Sequence, residues 1–120
     1  MSGLRLATYN IHGGVGCDGH CVPRRIADVL MELQADVIAL QEVESRRTGF
    51  DMLEYLARAT GLHPIAGPTL LDAHGDYGNG LLTRYPARAV RRLNLSWPRR
   101  EPRGAIDAEL GIGRARLRVV

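Results

Sequence analysis

The sequence contains no lysine: all 16 of its basic residues are arginine, a bias that we attribute to genome composition rather than to function. Aromatic residues are also few, at 5%, and no apolar run is long enough to cross a membrane. The N-terminus lacks the apolar core of a signal peptide, and the chain has no repeat, low-complexity tract or linker. These absences predict a single small domain, residues 1–120, of a cytoplasmic protein.

Cysteine is scarce as well, since only Cys17 and Cys21 are present, with His20 between them and His12 nearby. A structural zinc site needs about four ligands at established spacings, which a C-x3-C pair and two loosely placed histidines do not provide. The C-x-x-C spacing of a redox pair is missing too. We therefore expect two free thiols in a reducing compartment, with zinc as the alternative.

Charge is distributed unevenly along the chain. Residues 1–80 hold 6 Arg against 10 Asp and Glu, a net charge of −4, whereas residues 81–120 hold 10 Arg against 3 acids, a net charge of +7. An acidic part can hold a cation and a basic part can meet phosphate, although arginine-rich strands also occur as solvated sheet faces. A small nucleic-acid-binding domain that uses the arginine-rich third stays open as an alternative.

The stretch ADVIALQEVE, residues 35–44, organises the rest of the chain. Its apolar run from Val37 to Leu40 has the length of a strand and is bounded by polar residues, which predicts a strand buried on both faces that ends at Glu42. A preceding strand from Leu4 to Tyr9 ends at Asn10, with Leu4, Leu6 and Thr8 on one face. Between the two strands, Pro23 opens a helix whose apolar face is formed by Ile26, Val29, Leu30 and Leu33.

Strand, helix and strand in this order predict a right-handed βαβ unit with parallel strands. Asn10 and Glu42 then emerge at the same edge of the sheet, where ligands bind in open α/β sheets. Mg2+ prefers few carboxylates, several waters and substrate phosphate oxygens, so a Glu and an Asn are a plausible part of a Mg2+ site. A solvated charge at a strand end is the alternative for Glu42.

The rest of the chain predicts a second helix and several strands. Thr48 is expected to cap the helix with Asp51 three residues on, and Gly61 to end it. The segment from His74 to Gly80 is expected to be a loop, in which His74 and Asp76 are more simply explained by loop polarity than as ligands. Further strands are predicted at Gly80 to Tyr85 and at Ala89 to Leu95.

The last two segments predict an antiparallel hairpin. A two-residue turn at Gly111 and Ile112 would place Glu109 opposite Arg114 and Asp107 opposite Arg116. The apolar residues Ile106 and Ala108 would then face Leu117 and Ala115 on the other side of the sheet. This pairing assigns three Arg to an ordinary charged sheet face and weakens the nucleic-acid alternative.

Four motifs in this order resemble the endonuclease/exonuclease/phosphatase family. They are Tyr9-Asn10-Ile11-His12, Asp36-Val37-Ile38-Ala39-Leu40-Gln41-Glu42, Gly78-Asn79-Gly80-Leu81-Leu82-Thr83-Arg84-Tyr85-Pro86 and Pro102-Arg103-Gly104-Ala105. The family includes deoxyribonuclease-like and abasic-site nucleases, neutral sphingomyelinases and inositol-polyphosphate 5-phosphatases. The resemblance implies an α/β fold: the N-terminal part of a deoxyribonuclease-like four-layer α-β-β-α sandwich, a mixed sheet with flanking helices.

The resemblance also implies roles for individual residues. Glu42 would be the carboxylate ligand of a catalytic Mg2+ or Mn2+, and Asn10 would help to bind the metal and to orient the catalytic groups. His12, Asn79 and Arg103 would lie near the substrate phosphate, where an Arg stabilises charge on phosphoryl oxygens. The implied reaction is metal-dependent hydrolysis of a phosphate ester: a nucleic acid, a phospholipid head group or a small phosphoester.

The chain departs from the family because it stops where the strand leading to the family's Thr-His motif should continue. The Asp-x-Asn motif and the final Asp-His pair are missing from the sequence. We therefore expect a truncated domain with half of an active site and little turnover of its own. The inner sheet face, including Leu4, Leu6, Val37 and Ala39, is expected to lack a covering sheet and to favour self-association or a partner. A catalytically inactive or self-associating module is thus a further alternative.

Overall fold

The structure, a computed structural model, describes residues 3–44, 50–72 and 75–120. Two helices, seven strands and a short 3-10 turn at His12–Gly14 make up this part of the chain. In chain order, the helices and strands are β1 (Leu6–Asn10), α1 (Pro23–Leu33), β2 (Val37–Glu44), α2 (Met52–Thr60), β3 (His63–Asp72), β4 (Gly75–Thr83), β5 (Ala87–Asn94), β6 (Gly104–Ile112) and β7 (Ala115–Val119).

The predicted order of strand, helix and parallel strand is confirmed. Strands β1 and β2 are parallel neighbours, with Leu6 opposite Val37 and Asn10 opposite Gln41, and α1 connects them. Pro23 is the first residue of α1, where a missing N–H costs nothing. The two strands therefore end at the same edge of the sheet, as expected for Asn10 and the end of the apolar run.

Strand β2 is central in a mixed four-stranded sheet of order β1-β2-β4-β3. Ile38 and Leu40 pack with the two helices on one face, and Val37 and Ala39 contact the cluster on the opposite face. Because side chains alternate along a strand, an unbroken apolar run is what burial on both faces requires. The prediction of a doubly buried strand is confirmed.

A second sheet covers the face that was expected to be open, so that prediction is wrong for Val37 and Ala39. Strands β5, β6 and β7 form this sheet in the order β5-β6-β7. Ile106, Ala108 and Leu110 of β6 pack against Val37 and residues of β3 and β4, where Gly67 gives room because a Cβ at that position would overlap Ile106. The chain thus contains helices, a first sheet and part of a second sheet. Leu4 and Leu6 do remain exposed, and Leu6 has 55% of its surface accessible.

Two predicted boundaries in the middle of the chain are corrected. Helix α2 begins at Met52 with Asp51 as its N-cap, because the Asp51 carboxylate accepts a hydrogen bond from the Glu54 N–H over 3.1 Å; Thr48 lies outside the described residues. Gly61 ends the helix in the left-handed conformation, as predicted. Residues 75–80, expected to be a loop, belong to β4, because β4 pairs along its length with the long strand β3. His74 lies outside the described residues.

The predicted hairpin of β6 and β7 is present, but its register is wrong. Glu109 lies opposite Arg118, and Gly111 lies opposite Arg116. The turn sits at residues 113–114 because Gly113 adopts a φ of +58°, which glycine accepts without a steric cost. The shift still leaves acids beside arginines: Arg116 pairs with Glu109, and Arg118 forms a two-bond pair with Asp107.

Cys17 and Cys21 form no disulfide; Cys17 is exposed and Cys21 is half-buried. No helix in the described ranges is long and apolar enough to cross a membrane.

Candidate active site

A cleft of about 270 Å³ lies where the carboxyl end of β1, the bend in β2, the middle of β4 and the start of β6 meet. Four of the five residues singled out in the sequence, Asn10, Glu42, Asn79 and Arg103, line this cleft. The fifth, His12, contacts Glu42. Residues separated by more than ninety positions in the sequence are thus brought to one place, although the chemical role of each stays a prediction. The remaining lining residues are Gln41, Gly78, Pro102 and Gly104.

Glu42 owes its position to a β-bulge. Leu40 pairs with Gly80 and Val43 pairs with Gly78, so Gln41 and Glu42 together face the single residue Asn79 on β4. Glu42 takes a φ of +55°, which is uncommon for a residue with a side chain and costs free energy. The sequence predicted that this strand ends at Glu42. The strand instead continues beyond the bulge to Glu44.

The turn after β1 holds Asn10 and His12 in a fixed relation. The Asn10 side-chain Oδ1 accepts a hydrogen bond from the His12 backbone N–H over 3.0 Å, and the Ile11 N–H donates to the Gln41 carbonyl oxygen over 3.1 Å. His12 and the following Gly13 both have positive φ, at 52° and 63°. This tight turn brings Nδ1 of His12 to 3.2 Å from Oε2 of Glu42. Because a carboxylate only accepts hydrogen bonds, the imidazole is the donor in this contact.

A second acidic residue, Glu44, lies near the turn that follows β1. A Cβ built on Gly13 would come to 3.0 Å from Oε2 of Glu44, so the second carboxylate of β2 also lies close to the turn. Among the described residues, however, no group of three or more His, Cys, Asp and Glu side chains is arranged to hold a metal. Glu42 and the Asn10 amide in the cleft, together with His12 beside Glu42, thus form an incomplete ligand set, which water and phosphate oxygens would have to complete.

Asn79 connects the two sheets at the cleft. Its side-chain Nδ2–H donates to the carbonyl oxygen of Gly104, the first residue of β6, over 3.0 Å. The bond fixes the segment that carries Arg103 relative to β4. The Arg103 guanidinium is 71% exposed and lies 3.2 Å from the Glu101 carboxylate. In the segment that connects β5 to β6, the hydroxyl oxygen of Ser96 accepts a hydrogen bond from the Arg103 backbone N–H over 3.1 Å.

Gln41 is the residue of the cleft to which the sequence argument gave no role. Its Nε2–H donates to the Thr8 hydroxyl oxygen over 3.1 Å, which ties the end of β2 to β1 beside the bulge. The signal that could have found it is its place beside Glu42 in the Gln-Glu motif, at the polar end of a buried strand. Gln41 thus helps to hold the bulge that positions Glu42.

The arginine-rich third of the chain lies largely outside the cleft. On the outer face of the second sheet, Arg118 holds the pKa of the Asp107 carboxyl below its usual value, mainly by its hydrogen bonds and also by its charge. The same contact raises the pKa of Arg118. Outside this third of the chain, the guanidinium of Arg25 in α1 similarly lowers the pKa of Asp18 by a hydrogen bond. The pair with Asp107 thus engages Arg118, an arginine that a nucleic-acid-binding surface would leave available.

Known proteins of the same fold were found by structural comparison. An endonuclease/exonuclease/phosphatase from Beutenbergia cavernae DSM 12333 matches with a TM-score of 0.73 and 23% identity, covering 92% of this chain and 35% of that protein. Humanized D. rerio TDP2 matches with a TM-score of 0.70 and 18% identity over 96% of this chain and 44% of the other. The human Nocturnin catalytic domain with bound sulfate anion gives a TM-score of 0.62 and 19% identity over 93% and 45%.

These similarities show the fold, and the chain spans about a third to a half of the length of the matched proteins. Among curated proteins, no sequence gives a significant match. The family model of the endonuclease/exonuclease/phosphatase family matches residues 7–118, which is nearly the whole chain. This chain therefore belongs to the endonuclease/exonuclease/phosphatase family.

Proposed function

We propose that this chain forms the amino-terminal part of the active site of a divalent-metal-dependent phosphoesterase. The observation that carries the proposal is the convergence of Asn10, Glu42, Asn79 and Arg103 on one cleft. The family to which the chain belongs consists in general of hydrolytic nucleases and phosphatases. The acidic residue and the basic residue of this cleft also suit a cation and a phosphate, respectively.

The metal side of the proposed site is Glu42 with Asn10. The side chain of Glu42 is 38% exposed and thus accessible to a hydrated cation, and Asn10 lines the same cleft. Mg2+ or Mn2+ bound there would supply Lewis-acid polarisation of the phosphoryl group. The bulge and the Gln41–Thr8 hydrogen bond hold Glu42 in place, so little ordering is left to be done on binding.

The phosphate side is Asn79 with Arg103. Asn79 is anchored to Gly104 and can present its remaining amide capacity to a phosphoryl oxygen. The ion pair of Arg103 with Glu101 is solvent-exposed, and such pairs contribute only about 0–1 kcal/mol to stability. A phosphate can therefore replace Glu101 as the partner of the guanidinium. Bidentate contacts from Arg to phosphoryl oxygens would then stabilise the charge that develops as water attacks phosphorus.

The substrate would be a phosphate ester: a nucleic acid, a phospholipid head group or a small phosphoester. In the proposed reaction, water attacks phosphorus and an alkoxide departs in line. The sequence offers no Asp-His pair to activate the water beside these residues, so we expect little turnover from the chain alone and regard it as one part of a site that is completed by further polypeptide.

The test compares metal binding and hydrolysis in Glu42→Gln with those in Glu32→Gln, which makes the same charge change on an exposed position of α1. Titration calorimetry with MgCl2 and MnCl2 should show binding in the wild type and in Glu32→Gln, and loss of binding in Glu42→Gln. Any metal-dependent hydrolysis of bis(p-nitrophenyl) phosphate should disappear with Glu42→Gln.

Three results would contradict the proposal. Metal binding that survives Glu42→Gln would place the cation elsewhere. Metal-independent binding of DNA that falls steeply with salt would instead support the nucleic-acid alternative. A folded chain that binds neither metal nor phosphate would support the inactive module.

A further inference from the structure

His12 carries chemistry that the proposed function does not use. Its imidazole is 78% exposed, yet its Nδ1 lies 3.2 Å from Oε2 of Glu42. The backbone beneath it is fixed by the hydrogen bond from its N–H to Asn10 and by a φ of +52°. The turn therefore places His12 beside the proposed metal ligand in a backbone conformation that is uncommon for a residue with a side chain.

The separation of the two atoms suits a pair of neighbouring metal ligands. Two donors that each lie about 2.1 Å from one cation are about 3.0 Å apart in octahedral geometry and about 3.4 Å apart in tetrahedral geometry. The observed 3.2 Å falls between these values. The two atoms are therefore as close together as two ligands of one cation would be. Nδ1 could bind the cation once the imidazole carries its proton on Nε2, instead of donating from Nδ1 to Glu42.

The identity of the donor decides which cations such a site prefers. Mg2+ demands oxygen ligands and keeps several of its waters. Imidazole nitrogen favours first-row transition metals, whose affinities rise along the series from Mn2+ towards Cu2+. Resting on the proposed function, we infer that His12 is a nitrogen ligand of the metal bound by Glu42 and makes the site selective for transition-metal cations such as Co2+ over Mg2+.

The experiment measures binding of Co2+ and of Mg2+ by calorimetry to the whole 120-residue chain. All proteins carry Cys17→Ser, because the exposed thiol could itself bind Co2+. His12→Ala is compared with His63→Ala, whose histidine pairs with Thr83 at the opposite end of the sheet. We expect His12→Ala to weaken Co2+ binding by about tenfold or more and Mg2+ binding much less, and His63→Ala to change neither.

A second readout identifies the ligand directly. Imidazole bound to Co2+ gives a paramagnetically shifted proton resonance from its ring N–H, which exchanges with solvent. This resonance should be present in the Cys17→Ser protein and in its His63→Ala variant, and absent from the His12→Ala variant. Its persistence in His12→Ala would overturn the inference.

The outcomes separate this inference from the proposed function. If Glu42→Gln abolishes binding of both cations while His12→Ala weakens both by the same factor, the metal site stands and His12 only positions the carboxylate. If His12→Ala changes nothing, the metal site again stands and the inference fails. If the unmodified cleft binds neither cation, both proposals fall together.

Discussion

The side chain of Asn79 donates a hydrogen bond to the backbone carbonyl oxygen of Gly104, and this bond joins the first sheet to the second at the wall of the cleft. Asn79 also lies directly opposite the bulge that carries Glu42. One residue thus relates the proposed metal side of the cleft to the proposed phosphate side, because Gly104 follows Arg103 in the chain.

Replacing Asn79 should loosen this connection. Asn79→Ala removes the donor and should lower the free energy of unfolding by about 1 kcal/mol. Asn79→Asp keeps the size of the side chain but sets a carboxylate against the carbonyl oxygen of Gly104, so it should destabilise the protein at least as much at pH 7. Urea denaturation measures both; an Asn79→Asp variant as stable as the wild type would show that the bond contributes little.

Gly67 should be intolerant of a methyl group because of Ile106. A Cβ at position 67 would overlap the Ile106 side chain, so Gly67→Ala should lower the free energy of unfolding by about 1–3 kcal/mol. Gly3→Ala, where a Cβ meets nothing, is the matched control.

Combining Gly67→Ala with Ile106→Ala tests the cause. The smaller side chain at position 106 makes room for the methyl group, so the double variant should lose less stability than the sum of the two single losses. Strict additivity would mean that the two side chains do not compete for the same space.

Asp107 should make stability depend on pH in the acid range. Because Arg118 lowers the pKa of this carboxyl in the folded chain, its stabilisation is complete above the usual value of 3.8 and is lost as the pH falls through the lower, folded value. Asp107→Asn should therefore be less stable than the wild type at pH 7, and the difference should shrink below pH 3.8.

Thermal denaturation across the acid range measures this difference. Asp28→Asn is the control, since Asp28 pairs with Arg24 on the exposed side of α1 and such a pair contributes little. A gap between the Asp107→Asn and wild-type curves that is constant with pH would contradict the assignment.

Because Glu42 has a positive φ, the glycine variant at this position should be more stable than the alanine variant, which is the reverse of the usual order of stability. Glycine accepts this conformation freely, whereas a residue with a Cβ pays about 1–2 kcal/mol, so Glu42→Gly should be more stable than Glu42→Ala by about 1 kcal/mol. Both variants lack the carboxylate, and the comparison therefore isolates the backbone. At Glu54, within α2, the same pair of substitutions should give the opposite order.

The sequence predicted those features that depend on local periodicity. The apolar run Val37–Leu40 and the helix opened by Pro23 are each specified by residues close in the chain, and parallel pairing then placed Asn10 near Glu42 without further information. Asn79 and Arg103 came from the resemblance to the family. Nothing in their local pattern indicated that Gly104 would bring them together.

The features that the sequence did not predict have two physical origins. The hairpin register is degenerate, because the predicted pairing and the observed one both set acids beside arginines, and the φ of Gly113 decided between them. The bulge at Glu42 and the covering of Val37 depend on β4 and β6, which lie far along the chain. Such contacts cannot be read from the alternation of one strand.

Residues of both sheets line the cleft, so a ligand that spans the cleft would affect how firmly the two sheets are held together. A molecule bound to Glu42 on one side and to Arg103 on the other would bridge the two sheets. The free energy of binding would then oppose separation of the sheets. The packing of Ile106 against Val37 and Ile65 would be stabilised when the ligand binds. Occupancy of the cleft should for this reason slow amide hydrogen exchange deep in β6, well away from the ligand itself.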